Sequence, residues 1–104
     1  MATEKGHKMS VMRLPINYER ATPAERKEAR MLYSKLQNED CWFCHNPLDA
    51  LPPEKLTDLP INWGRFPEHF QVHPVHLQHD HETGMTEGAV HAFCNAFLWD
   101  YLGR

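Results

Sequence analysis

Between Thr22 and Gln37, the apolar residues Ala29, Leu32, Tyr33 and Leu36 fall at i, i+3, i+4 and i+7, with Glu25, Arg26, Lys27 and Arg30 on other faces. This is the spacing of an amphipathic helix. Thr22-Pro23-Ala24-Glu25 adds an N-cap hydroxyl, a proline at the first helical position and a glutamate three residues on, which is a capping box. A helix is therefore expected over 23–37, with its basic residues on a solvated face. The pattern then breaks at Asn38-Glu39-Asp40, and Cys41-Trp42-Phe43-Cys44 is expected as a tight turn. Pro47, Pro52, Pro53, Pro60, Pro67 and Pro74 forbid a long helix or central strand over 46–74. Leu48, Leu51, Leu56, Trp63, Phe66 and Phe70 are scattered through that stretch, so it is expected as a long structured loop packed onto the core. Val75 to His79 then reads as a short strand, Glu82-Thr83-Gly84 as a turn, and Met85 to Val90 as a returning strand. From His91 to Leu102 a second helix is expected, with Val90, Phe93, Ala96, Phe97 and Tyr101 on one apolar face and Gly103 as its stop.

The element order is that of one α+β domain over 13–104, preceded by a polar, aperiodic segment 1–12 expected to be a mobile arm. A chain of 104 residues supports only a modest core, so additional ties would help it. No apolar run approaches a membrane span, and the polar start lacks the apolar stretch of a secretion signal. A cytoplasmic protein without a membrane partner is expected. The net charge of −3 counts against a nucleic-acid partner, unless a local basic patch or bound cations offset it.

Three cysteines cannot close a disulfide framework, and in a reducing compartment a close pair favours metal ligation. Cys41 and Cys44 can aim both thiolates at one cation from a single turn, and His91 with Cys94 offers the same geometry from a helix start. Together they make a candidate Cys3His site for structural Zn2+, tying two turns across 46 intervening residues. Three alternatives stand beside it. Cys41 to His45 reproduces the haem c attachment pattern, although an export signal is missing. A thioredoxin-type redox pair would want a strand before Cys41, where a helix end is expected. Simple buried thiols are the third.

Five of the eight histidines, at 69, 73, 76, 79 and 81, lie within thirteen residues. A histidine at a strand end, with its ordinary pKa near 6.5, can accept a proton from water at neutral pH. Phosphodiester hydrolysis needs such a base together with a divalent cation on the phosphate. His69 and His73 read as polar surface residues, Asn95 taken alone as a helix N-cap, and Phe97, Trp99 and Tyr101 as apolar contacts.

Cys41-x-x-Cys44, then Leu77 to Gly84, then Gly88-Ala89-Val90-His91-x-x-Cys94-Asn95 resembles the recombination endonuclease VII branch of the HNH nucleases, small phage-type proteins above all. The resemblance covers about half of the chain. It implies a ββα-metal (HNH, His-Me finger) motif stapled by the structural zinc, and metal-dependent cleavage of DNA. His79 falls on the general base, Asn95 on a ligand of a catalytic Mg2+ or Mn2+, or Ni2+, and His81 and His76 on residues that assist the phosphate. Two departures stand out. His91 replaces a cysteine ligand, which zinc accepts. Gln78 replaces the metal-binding aspartate, which leaves Asp80 as a substitute ligand, or a weakened cation site, or a protein that no longer cuts. The alternative function is thus a catalytically weak or inactive module binding DNA or a protein of a phage packaging or recombination assembly. A monomer is favoured over a dimer, and the host cytoplasm is the expected compartment if a phage encodes it.

Overall fold

The computed structural model describes residues 12–103, so the expected arm over 1–12 lies outside the described residues except for Met12. Helix α1 spans Pro23–Leu36, as the periodicity predicts. Its capping box is complete: Glu25 N donates to Thr22 Oγ1 at 3.1 Å, and Thr22 N donates to Glu25 Oε1 at 2.9 Å. A cap of this kind stabilises a helix by about 1 kcal/mol. After α1 the chain reverses through Asn38 and Glu39, both in the left-handed region.

The sheet is one antiparallel hairpin, β1 (Val75–His79) and β2 (Thr86–His91). The returning strand thus runs one residue later at each end than the alternation predicts, because Met85 is diverted to a bridge with Asn17. Gly84 turns the hairpin at φ +79, where any side chain would be strained. The register holds a bulge that the sequence pattern does not announce: Gln78 pairs with Gly88 and His79 with Thr86, so Glu87 is the extra residue.

Helix α3 (Ala92–Leu102) follows β2 directly and ends on left-handed Gly103. Its buried residues are Ala92, Cys94, Ala96 and Leu98, which corrects the expected face of Phe93, Phe97 and Tyr101. The two alanines one turn apart let the helix backbone approach the hairpin closely, and the large aromatics are displaced to the flanks. There Phe97 stacks on Tyr101 at 4.6 Å, and the Tyr101 hydroxyl donates to Pro60 O. Both α1 and α3 pack against both strands.

The loop over 46–74 carries a one-turn helix α2 (Glu54–Thr57) and a 3-10 turn at Trp63–Arg65. Only part of it packs as expected. Leu48 is buried and Leu56 lies against the core, but Leu51 is 81% exposed. Trp63, Phe66 and Phe70 gather with Phe93 of α3, and Arg65 pairs with Asp100 at 2.8 Å.

Among the described glycines, the closest approach of neighbouring atoms is at Gly88. A Cβ there would lie 2.6 Å from the Trp42 ring and 2.8 Å from Gln37 Oε1. Both neighbours are held in place: Trp42 N donates to Ala89 O, and the Gln37 carboxamide bonds the backbone on both sides of Ala89. Gly88→Ala is expected to cost about 1–3 kcal/mol by overpacking, lowering Tm by at least about 4 °C in a thermal melt.

Candidate metal centre and histidine cleft

Cys41 N donates to Asn46 O, His45 N donates to Cys41 O at 3.0 Å, and His45 takes a left-handed conformation. These contacts shape Cys41 to Cys44 into the expected tight turn. The Phe43 and Cys44 amides point at Cys41 Sγ, at 3.4 and 3.5 Å, which stabilises a thiolate. The end of β2 and the first turn of α3 bring His91 and Cys94 to the same place. The four ligand atoms of Cys41, Cys44, His91 and Cys94 all lie within 4.8 Å of one another.

His91 Nδ1 is 3.4 Å from Cys44 Sγ and 3.6 Å from Cys94 Sγ. In a tetrahedral zinc site with bonds of about 2.3 Å to sulfur and about 2.05 Å to nitrogen, the N···S edge is about 3.6 Å. The other ring nitrogen, Nε2, is 2.9 Å from Pro47 O, where it donates and leaves Nδ1 as the lone-pair atom facing the thiols. The cluster could therefore hold a metal ion such as zinc. The hydrogen bond that Cys94 gives to Cys41 pushes Cys94 up, with burial adding to it, and holds Cys41 down at about 4. Three thiols so close cannot ionise together without a cation among them.

The histidines form a second centre at the far end of β1. His79 is stacked on Tyr18 at 4.0 Å, His81 lies 4.5 Å from His79, and Trp99 lies 4.7 Å from His81. Arg26 covers the Tyr18 ring at 4.0 Å and donates from Nε to Tyr18 O. Three regions of the sequence, around Tyr18 and Arg26, around His79 and His81, and at Trp99, thus meet in one column. A cavity of about 190 Å³ opens here, with His79, His81 and Asn95 in its wall beside Tyr18, Phe70 and Trp99. Asn95 sits inside α3, whose N-cap is His91, so it is not a cap. Its Nδ2 donates to His76 Nδ1 at 3.0 Å.

Gln78 and Asp80 are not brought to this cavity. Gln78 is 1% exposed, its Nε2 donates to His79 O and to Glu87 Oε1, and its Oε1 finds no partner. The bulge at Glu87 supplies that contact. Asp80 Oδ1 accepts from the Glu82 and Thr83 amides and so builds the turn. The cavity wall offers imidazole and carboxamide groups and no carboxylate. His69 and His73 are exposed as expected, although His73 borders an adjoining cavity. Tyr18 is missed by periodicity, because the segment 16–18 has no pattern of its own and is fixed by bonds to Gly84 and Thr86, and Arg26, expected on a solvated face, is drawn onto Tyr18. Among the described residues no helix is long and apolar enough to cross a membrane.

Two measurements follow from this geometry. Purified protein is expected to contain about one equivalent of zinc by elemental analysis, with Cys41→Ser removing most of it and a chelator lowering Tm. A metal-free protein with an unchanged melt would contradict this. The second concerns pH. Burial pushes His76 and His79 below the usual histidine range, and neighbouring charge adds to it, from Arg30 and His73 at His76 and from His81 at His79. The unfolded chain then binds these protons more tightly than the folded one, so stability rises with pH. The penalty is absent well above pH 6.5 and grows as pH falls through the ordinary histidine range toward the lowered folded values. Tm is expected to fall between about pH 7 and pH 5, and to fall less steeply in His79→Gln, which cannot titrate there.

No family model, curated protein or solved structure matches the chain, which leaves its own side chains as the ground for assigning a function.

Proposed function

We propose that this chain is a metal-dependent endonuclease of the HNH type, hydrolysing DNA phosphodiester bonds at the histidine cleft. The observation that carries this is the meeting of His79 and His81 from the hairpin with Asn95 from the following helix on one cavity. A ββα unit with histidine on the strand and asparagine on the helix is what the resemblance to the endonuclease VII branch implies. In this role His79 accepts the proton of the attacking water, its ring held in orientation by Tyr18. His81, between His79 and Trp99, donates a hydrogen bond to the phosphate. Asn95 is the residue that would hold a divalent cation, which would supply neutralisation of the charge on the phosphate and the leaving oxygen. Zinc in the Cys3His cluster would be structural, fixing the start of α3 and therefore Asn95.

A second function is favoured by Gln78. At the position where the family keeps a metal-binding aspartate, this chain has a neutral amide buried away from the cavity, with one oxygen unpartnered. That supports a module that keeps the scaffold, binds DNA or a protein of a phage packaging or recombination assembly, and cuts weakly or not at all.

Supercoiled plasmid incubated with the protein in Mg2+, Mn2+ or Ni2+ separates the two. Nicking is expected with Mn2+ or Ni2+, and His79→Ala should lower its rate by about 100-fold or more. Nicking that survives His79→Ala would overturn the base assignment. No nicking by the wild type in any metal, with nicking gained in Gln78→Asp, would favour the binding module.

A further inference from the structure

Beside the histidine cavity lies a second one of about 180 Å³, and the two share Tyr18, Leu77 and Asn95 as a common wall. They are thus compartments of one cleft. The ionisable groups peculiar to the second compartment are Arg30, His73 and His76. No aspartate or glutamate lines either compartment. In a chain with fourteen acidic residues against eleven basic ones, this local sorting of charge decides what the cleft can hold. Net charge governs approach from a distance, while the groups lining a cleft set the local potential.

Arg30 stands one helical turn after Arg26 on α1, so both project toward the same side. Arg26 is committed to Tyr18, by its ring contact and by its bond to the Tyr18 carbonyl. Arg30 has no ion pair among the described residues. Its planar fork of donors matches two phosphate oxygens at once. His76 is held in place by the Asn95 amide, and His73, exposed just before β1, lines the second compartment.

We propose that this second compartment is a phosphate subsite, in which Arg30 and His73 hold the phosphodiester next to the one attacked beside His79 on the same strand. The identity of that neighbouring phosphate rests on the nuclease function, whereas the anion site itself does not. The subsite supplies locally the positive charge that the chain lacks overall, so an acidic protein can still seat a polyanion by a few short contacts.

The test uses the full chain, nitrogen-15 labelled and titrated with inorganic phosphate at constant ionic strength, with acetate as the carboxylate control. Saturable shifts are expected at the Arg30 Nε and Asn95 Nδ2 resonances for phosphate, and weaker ones for acetate. Arg30→Gln should reduce the apparent affinity by about tenfold or more, as for loss of a charge-assisted pair, and Arg30→Lys should restore part of it. His73→Ala, on an exposed turn, is the second variant and should weaken binding with an unchanged melt. Shifts that do not saturate, or that ignore both substitutions, overturn the subsite. In the plasmid assay Arg30→Gln should raise KM more than it lowers kcat. Saturable phosphate binding by a wild type that never nicks would remove the nuclease function and keep the anion site. Nicking with a KM that ignores both substitutions would keep the nuclease and remove the subsite.

Discussion

Like charges repel most strongly where water is excluded, and this small protein gathers three thiols and an imidazole nitrogen within 4.8 Å in its interior. Without a cation, such a cluster must keep protons on all but one of its sulfurs and remains a weak contact. With one, it becomes a covalent-strength link between the turn after α1 and the start of α3. That link matters because the apolar cluster around it is small: among the described residues its buried members are Cys41, Leu48, Ala89, Val90 and Cys94, so two of the five are themselves candidate ligands. A chain of this size gains much from joining segments that are distant in sequence, since the unfolded state then loses the freedom to separate them.

The histidine cleft is built on the same elements as the cluster. Asn95 follows Cys94 in the same helical turn, and β2 delivers His91 to the cluster at one end while pairing with His79 at the other. The hairpin is therefore a lever between the two centres. Its bulge at Glu87 changes the register by one residue beside His79, and a bulge at such a place re-aims the side chains next to it. The aromatic column from Tyr18 to Trp99 limits how far the His79 ring can turn, so the cleft is ordered by packing as well as by hydrogen bonds.

Much of this order is legible in the sequence where a local rule is strong. Thr22-Pro23-Ala24-Glu25 writes the start of α1 outright, and the alternation from Val75 to His79 gives β1 with its bounds. Cys41, Cys44, His91 and Cys94 are legible as a group because zinc ligation constrains residue type and spacing together. What escapes is set by tertiary contact. The buried face of α3 follows from the need for Ala92 and Ala96 at a close backbone approach, which a count of large apolar residues misjudges. Strand alternation turns Gln78 to the face opposite His79, but the bulge that places Glu87 beside it has no sequence signature. Tyr18 acquires its importance only from the strand edge on which residues 16–18 lie.

The proline-rich loop is anchored at both ends: Asp40 and Pro47 form a bridge at one, and Ala92 N donates to Pro74 O at the other. Between those anchors, residues 49–51 are exposed and make few demands on the rest of the chain. Lengthening a loop whose ends are already fixed costs only about 0.6 kcal/mol for each doubling. Natural variation can therefore add or remove residues there without disturbing the thiol cluster or the cleft. The same scaffold could acquire a new surface by insertion at that point, with the cluster and the cleft left as they are.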